Sequence, residues 1–176
     1  MSVQVDEQHR YEAQARFHSP LGPLTAVATG KGLAGLWFDG QAHHPGELVA
    51  PVDAQHPVLV QLDHELAGYW RDGRQSFSVP LDLRGTPFQR AVWAALRRIM
   101  PGKTSSYTAV AERAGSPGAS RAAGAAIGRN PVSIVVPCHR VLGSNGDLTG
   151  YAGGLDRKRA LLCLEGVLAR PVTRAG

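Results

Sequence analysis

The sequence has 176 residues, of which 43% are hydrophobic and 19% charged, which is typical of a folded protein and excludes a disordered chain. No apolar run approaches the roughly 20 residues that a membrane helix needs, so we expect no membrane partner. The chain starts with the polar, acidic stretch MSVQVDEQHRYE, which does not resemble a secretory signal peptide. Two cysteines without such a signal indicate a reducing, cytoplasmic setting and no disulfide framework.

Charge divides the chain into two unlike halves. Residues 1–85 carry 6 Lys and Arg against 10 Asp and Glu, a net charge of −4, whereas residues 86–176 carry 13 against 4, a net charge of +9. A basic half is expected of a protein that binds a polyanion, most often nucleic acid. Arginine on solvated surfaces also follows from a GC-rich genome, so charge alone does not establish a DNA partner.

The first half predicts an antiparallel sheet with one helix. Period-2 alternation and turn residues predict three strands, over 11–18, 24–29 and 33–38. Apolar residues at helical spacing then predict a helix that ends at Asp72-Gly73: Leu59, Leu62, Leu66 and Tyr69. Alternation returns over 77–83, which predicts a fourth strand. The histidines of this half lack the cysteine or carboxylate neighbours of a metal site.

We place a boundary where the sign of the charge changes, between an α/β domain over residues 1–84 and a second domain over residues 85–176. TPFQ (86–89) has the pattern of a capping box with a proline in the first turn. The helix that it opens has an apolar stripe of Phe88, Val92, Leu96 and Ile99. We expect Pro101-Gly102 to end it.

Two short helices next predict a helix-turn-helix, the first over 108–115 and the second opening at Ser116-Pro117 and reaching Gly128. The second helix, ASRAAGAAIGR (119–129), is almost wholly Ala and Gly, with Ser120, Arg121 and Arg129 as its polar residues. A helix that reads base sequence needs more side chains aimed at base edges. This helix favours close approach to the DNA backbone or the minor groove. Packing of small residues against a neighbouring helix explains the same composition, and both can hold on different faces.

Cys138 follows the apolar run SIVVP (133–137), which we interpret as a buried strand. A cysteine in such a place is either inert packing or a nucleophile. The adjacent His139 does not face it on a regular strand or helix, so a Cys–His couple needs an irregular backbone or a bridging water. Arg140 adds a cation that could favour the thiolate.

A glycine-rich loop and a final helix complete the chain. The loop over 143–154 contains Tyr151 and lets the backbone approach a flat ligand closely. In the helix LDRKRALLCLEG (155–166), Glu165 lies one turn after Leu161 and is expected to point inward, where a histidine is a suitable partner for its charge. Cys163 is interpreted as a core residue.

These motifs together resemble the O6-alkylguanine-DNA alkyltransferases. The residues that carry the resemblance are Asn130-Pro131, Pro137 to Val141, Gly150-Tyr151, Gly153-Gly154 and the LLxxEG ending, and the similarity covers nearly the whole chain. It implies an α+β protein with a ribonuclease H-like first domain and a mostly helical second domain that carries a helix-turn-helix and an active-site cysteine. It also implies single-use DNA repair, in which the alkyl group moves from guanine O6 to the protein's own cysteine without metal or cofactor.

The resemblance gives four residues catalytic roles. Cys138 matches the acceptor nucleophile, and His139 matches the base that activates it through a water. Glu165 matches the carboxylate that orients the histidine. Asn130 matches the residue that links the helix-turn-helix to the active site.

Six residues are implied as DNA or substrate contacts. Tyr107 matches the tyrosine that contacts the lesion base and rotates its phosphate, and Arg121 matches the finger that fills the gap left by the flipped nucleotide. The further candidates are Ser120, Val141 and Tyr151, of which the last two match pocket residues, and the backbone of Ala152, which matches a contact to O6.

The implied partner is double-stranded DNA that contains O6-alkylguanine, with O4-alkylthymine as a second candidate lesion. We expect a monomer in solution that can cluster cooperatively on DNA. Three alternatives remain: a non-catalytic lesion-sensing protein, against which Cys138 argues; a helix-turn-helix regulator, which the composition of 119–129 disfavours; and a Cys-His hydrolase, for which adjacent Cys and His have the wrong geometry.

Overall fold

A computed structural model describes residues 10–170, and its first element is a three-stranded antiparallel sheet. The strands are β1 (Ala13–Phe17), β2 (Leu24–Thr29) and β3 (Gly32–Phe38), in the order β1-β2-β3. In β1 the alternating residues Ala13 and Ala15 are buried while Arg16 is exposed, so the alternation in the sequence corresponds to the two faces of the strand. The three predicted strands are confirmed.

The predicted fourth strand over 77–83 is wrong. Only Leu81 pairs with the sheet, through an isolated parallel bridge to Leu33. The carbonyl of Pro80, the residue before it, accepts a hydrogen bond from the Leu33 N–H (2.8 Å). Because Pro80 has no amide hydrogen to donate, the pairing cannot continue as a ladder. The segment covers the β3 edge without adding a full strand to it.

Helix α1 (Pro57–Asp72) packs its apolar stripe on the sheet and ends as predicted at Gly73. Gly73 has φ +70°, the left-handed conformation that glycine adopts without a Cβ penalty. A Cβ on this residue would also collide with the carbonyl of Leu164, in the last helix. The end of α1 therefore lies against the other end of the chain.

The second half begins with α2 (Pro87–Leu96), whose predicted capping box is present. The Gln89 N–H donates to the Thr86 hydroxyl (3.1 Å), and the Gln89 side chain accepts from the Thr86 N–H (3.0 Å). The helix ends at Leu96, earlier than the predicted Pro101-Gly102. Beyond Leu96 the hydrogen bonds are of the 3-10 type, three residues apart, as from the Arg98 N–H to the Ala95 carbonyl (3.2 Å), so the α-helical pattern does not continue.

Two helices form the predicted helix-turn-helix, α3 (Tyr107–Arg113) and α4 (Ser120–Gly128). The second helix begins at Ser120 and not at Ser116. Gly118 has φ +81°, which places a left-handed residue before the helix and confines 116–118 to turns.

Three further elements follow or flank these helices. A short parallel pair joins β4 (Ser105–Ser106) to β5 (Val141–Leu142), a single 3-10 turn spans Cys138–Arg140, and the last helix is α5 (Leu155–Leu164). The main hydrophobic core is continuous through both halves, so the boundary at 84/85 stays a prediction. No helix among the described residues is long and apolar enough to cross a membrane.

Candidate active site

The segment that leads to Cys138 is an irregular loop pinned to the sheet, so the predicted strand over 133–137 is wrong. The Leu36 N–H donates to the Pro131 carbonyl (2.8 Å), and the Ser133 N–H donates back to Leu36 (2.9 Å). Ile134 then has φ +71°, a strained conformation for a β-branched residue that ends the pairing. Cys138 opens the 3-10 turn beyond it, which supplies the irregular backbone that a Cys–His couple requires.

The thiol of Cys138 is held by Asn130, which comes directly after α4 and its last turn. The side chain of Asn130 donates from Nδ2 to the cysteine Sγ (3.2 Å) and to the Val136 carbonyl (2.7 Å), and its Oδ1 accepts from the Val132 N–H (2.9 Å). Asn130 and Cys138 are both about nine-tenths buried or more, at 4% and 5% exposed. One amide thus joins the helix-turn-helix to the sulfur.

Burial raises the pKa of the Cys138 thiol, while the hydrogen bond from Asn130 and the positive charge of Lys158 lower it in part. Lys158 is fully buried on α5 and donates from Nζ to the carbonyls of Val141 (2.6 Å) and Thr149 (2.7 Å). Burial lowers the pKa of this lysine to about 8, against the opposing charge of the cysteine.

The cation that acts on the thiol is therefore Lys158 and not Arg140. The sequence analysis missed this lysine, although a signal existed. Lys158 lies one turn before Leu161 and Leu162, on the buried stripe of α5, where a lysine requires a reason.

Arg140 instead pairs with Glu165, the residue that caps α5. Its Nε donates to Oε1 (2.7 Å) and its Nη2 to Oε2 (2.9 Å), a bidentate pair, while Nη1 donates to the Ile99 carbonyl (2.5 Å). Burial alone would raise the pKa of Glu165, but the hydrogen bonds from His139 and Arg140 outweigh it and hold the pKa at about 2. Glu165 is consequently a buried anion with satisfied partners.

His139 is fully buried and bonded through Nε2 to Glu165 Oε2 at 2.7 Å, as the sequence anticipated. Because a carboxylate only accepts, the hydrogen-bond network assigns the proton of the neutral imidazole to Nε2. The Nδ1 atom then carries the free lone pair, and it has no hydrogen-bond partner among residues 10–170. Burial lowers the pKa of His139 despite the neighbouring carboxylate, so the ring is neutral and able to accept a proton at Nδ1.

A cavity of about 230 Å³ contains Cys138 in its wall. The helix-turn-helix contributes Tyr107, Gly124 and Gly128, and the glycine-rich loop contributes Tyr151 and Ala152. The Gly124 Cα faces the Tyr107 ring, since an added Cβ would lie 3.5 Å from it. Absent side chains on one face of α4 thus leave room for a flat ligand beside the sulfur.

Helix α4 uses its small residues on two faces, as the sequence allowed. Ala123, Ala126 and Ile127 pack inward, and the Ala126 carbonyl accepts from the Trp93 indole N–H (2.9 Å). The opposite face is exposed and includes Arg121, the residue after Ser120 at the start of the helix. Within the described part of the chain, no acidic side chain pairs with Arg121.

The first half of the chain also lines the cavity, which the sequence analysis missed because the polar stretch over 39–56 shows no periodic pattern. Ala42 and His43 form part of the wall. The Ala42 N–H donates to the Ala152 carbonyl (2.8 Å), which fixes the loop from the sheet against the glycine-rich loop.

Three remaining predictions of position have mixed outcomes. Tyr151 faces the cavity with a buried hydroxyl, and burial raises its pKa well above the ordinary range, so it stays a neutral phenol. Val141 is fully buried under Lys158 and does not line the cavity, contrary to its predicted place. Cys163 is half-buried beside an apolar groove and is not a core residue. No group of three metal-binding side chains occurs within residues 10–170.

The fold and this cavity define a helix-turn-helix protein with a buried candidate nucleophile, and comparison with known proteins gives its family. Residues 14–83 match the 6-O-methylguanine DNA methyltransferase, ribonuclease-like domain, and residues 87–167 match the 6-O-methylguanine DNA methyltransferase, DNA binding domain. The chain belongs to the 6-O-methylguanine DNA methyltransferase family.

Individual relatives agree along most of the chain. The methylated-DNA–protein-cysteine methyltransferase of Mycobacterium tuberculosis is 48% identical over 149 residues, which are 84% of this chain and 88% of that protein. The inducible protein of the same name from Bacillus subtilis is 49% identical over 147 residues, 76% of this chain and 80% of that one. The crystal structure of Mycobacterium tuberculosis OGT in complex with DNA superposes with a TM-score of 0.79 at 44% identity, covering 87% of this chain and 92% of that one.

Proposed function

We propose that this protein repairs O6-alkylguanine in double-stranded DNA by direct reversal, with Cys138 as the acceptor of the alkyl group. The observation that carries the proposal is the position of one buried thiol, held by Asn130 at the end of a helix-turn-helix and open to a cavity between that motif and a glycine-rich loop. The family relationship supports the same reaction, since the relatives are named methylated-DNA–protein-cysteine methyltransferases.

The chemistry starts from a neutral pair. Because burial raises the pKa of Cys138 and lowers that of His139, the resting site holds a thiol and an imidazole. We propose that the thiol proton passes through a water to Nδ1 of His139, and that the anionic Glu165 stabilises the imidazolium that results. Lys158 and the Asn130 amide stabilise the thiolate.

The thiolate then attacks the alkyl carbon. The new S–C bond forms as the bond from carbon to guanine O6 breaks, and the bonding electron pair stays on the guanine. The guanine then takes up at N1 one proton, equivalent to the one that the thiol gave to His139, so that the imidazole returns to its neutral state. Repaired guanine and a thioether on Cys138 are the products. A thioether has no hydrolytic route back to a thiol in this site, so each molecule acts once.

A guanine inside a duplex cannot bring O6 to a buried sulfur, so the nucleotide must leave the stack. We propose that the base enters between Tyr107 and Tyr151, where the Ala152 backbone contacts O6. Arg121 fills the vacated position in the duplex, and Ser120 contacts the adjacent backbone. The exposed arginines of the basic half supply affinity that is independent of sequence.

We propose a cytoplasmic protein that is a monomer in solution and can cluster along DNA, with O4-alkylthymine as a second substrate. The two free cysteines, Cys138 and Cys163, fit a reducing compartment.

The test is peptide mass spectrometry after mixing the chain with a duplex that contains O6-methylguanine. We expect one methyl group per chain, on the Cys138 peptide, and no further gain at excess DNA. The matched controls are the two single cysteine variants: Cys163→Ser should keep the transfer, and Cys138→Ser should lose it while retaining DNA binding. Lesion-selective binding by the unaltered chain without any mass gain would contradict the proposal and indicate a lesion sensor.

A further inference from the structure

The carboxylate of Glu165 receives a hydrogen bond from the first half of the chain that the mechanism above does not use. Tyr69 lies on α1, 96 residues away in sequence, and its hydroxyl donates to Glu165 Oε2 at 2.7 Å. This is the same oxygen that accepts His139 Nε2. Tyr69 is fully buried, and burial together with the charge of Glu165 raises its pKa beyond the range in which it could ionise.

We infer that Tyr69 is a positioning residue for alkyl transfer, whose hydroxyl fixes Glu165 and thereby sets the orientation and basicity of His139. The inference rests on the proposed function and adds to it a residue of the ribonuclease-like half. Tyr69 touches neither the sulfur nor the cavity, so it acts through Glu165 alone.

The carboxylate of Glu165 is surrounded by donors from three residues. Glu165 accepts two hydrogen bonds from Arg140, one from His139 and one from Tyr69. A carboxylate offers about four acceptor positions, so this one is saturated. Three bonds converge on Oε2, and the tyrosine bond competes directly with the histidine for the electron density of that oxygen.

A carboxylate that shares its charge with a tyrosine stabilises a neighbouring imidazolium less than one that does not. The other charges near His139 are Arg140, beside it on the 3-10 turn, and Lys158 on α5, and both are cations that disfavour its protonation. Tyr69 acts in the same direction by weakening the one anion present. It therefore keeps His139 neutral at rest and available as a base.

The contact between Tyr69 and Glu165 depends on how the end of α1 packs against α5. The left-handed Gly73 ends α1 one turn after Tyr69, and its lack of a Cβ permits the backbone of α1 to touch the Leu164 carbonyl, directly before Glu165. The end of α1 thus packs against the last turn of α5, and the Tyr69 side chain reaches from there to the Glu165 carboxylate.

The experiment measures the single-turnover rate of methyl transfer from an O6-methylguanine duplex to the full chain, from pH 5 to pH 9. Tyr69→Phe removes the hydroxyl and keeps the ring. We expect its rate to fall about threefold at pH 8, because Glu165 and with it His139 lose a fixed orientation. At pH 6 the rate should fall about tenfold, because Glu165 then also stabilises the imidazolium more strongly and the acid limb of the profile moves to higher pH. Leu62→Ala, on the same buried face of α1, is the control for lost stability and should leave the limb in place.

Site-specific 3-fluorotyrosine at position 69 keeps the fold if Tyr69→Phe does not. Its more acidic hydroxyl donates a stronger bond, so the acid limb should move to lower pH. A limb that stays in place in both Tyr69 variants, or that moves equally in Leu62→Ala, would overturn the inference. Transfer by the unaltered chain in the same assay separates this failure from failure of the proposed function, which would abolish methylation of Cys138 in every variant.

Discussion

At the level of single residues, the site is an arrangement of buried charges whose partners come from distant parts of the chain. Glu165 pairs with His139 and Arg140 of the 3-10 turn, and Lys158 donates to the carbonyl of Val141, directly after that turn. The anion is held by four donors and the cation by backbone carbonyls, so neither is left unpaired in the interior. This arrangement keeps both charges paired, so that the thiol and the imidazole can exchange a proton through a single water, as proposed above.

The role of Lys158 can be tested by removing its charge. Lys158→Met should raise the pKa of the Cys138 thiol by about one to two units. The thiolate fraction at pH 7, and with it the rate of methyl transfer, should then fall about 10- to 100-fold. Near pH 9 the difference should narrow, because the pKa of Lys158 is about 8 and the unaltered lysine is itself largely neutral there. The measurement is the transfer rate against pH, with Lys103→Met, an exposed lysine of the same half, as the control. Equal rates for the two variants would contradict the assignment.

Sequence reasoning reached part of this site and missed the rest for a physical reason. Cys138, His139 and Glu165 belong to recognisable motifs, and the inward position of Glu165 follows from helical spacing. Tyr69 and Ala42 carry no such signal, because their contacts depend on how α1 and the loop after β3 pack against residues about a hundred positions away. Arg140 was misassigned, since adjacency in sequence does not report which way a side chain turns in a 3-10 helix.

At the level of elements, the helix caps could be predicted from local sequence, whereas conformations imposed by tertiary packing could not. The capping box at Thr86 and the glycine stop at Gly73 were predicted because the signals are complete within a few residues. The run over 133–137 has the composition of a strand, yet Ile134 adopts a left-handed conformation that cannot be predicted for a β-branched residue from sequence. Its surroundings impose that conformation, so the sequence alone predicts a strand.

The proposed finger role of Arg121 predicts that two arginines of the α4 segment affect DNA in different ways. Arg121→Ala should weaken extrusion of the lesion more than overall binding, because the proposed finger in the first turn of α4 fills the position that the nucleotide leaves. Arg129, exposed at the other end of the helix, is the matched control, and Arg129→Ala should lower affinity without a specific effect on extrusion. Fluorescence of a base analogue opposite the lesion, compared with the binding isotherm, measures both quantities. Equal losses in the two assays for Arg121→Ala would argue against the finger role.

At the level of the whole molecule, Glu165 links the active site to stability. Its pKa is about 2 in the folded chain against an ordinary 4.5, so the unfolded chain takes up the proton first. The stabilisation is complete above about pH 4.5 and is lost as pH falls toward 2, by ~3 kcal/mol. Burial also lowers the pKa of His139 in the folded chain, so the unfolded chain binds a proton on this histidine first. Stability therefore decreases as pH falls below about 6.5, in addition to the effect of Glu165.

Urea unfolding at pH 6 and pH 3 measures this linkage. Glu165→Gln should lower the midpoint at pH 6, because it leaves Arg140 buried without its anion, and should flatten the dependence on pH. Glu112→Gln, on the exposed surface of α3, should leave both the midpoint and the slope nearly unchanged. A slope in Glu165→Gln as steep as in the unaltered chain would assign acid sensitivity to other carboxylates.

The bridge between Leu36 of β3 and Val132, before the active-site turn, has a consequence for how such a chain can change over generations. A recombination breakpoint near residue 85 would exchange one half and leave the other, although the halves share a sheet edge, a core and the Tyr69–Glu165 bond. A foreign first half would therefore have to bring its own fit to the segment that delivers the sulfur.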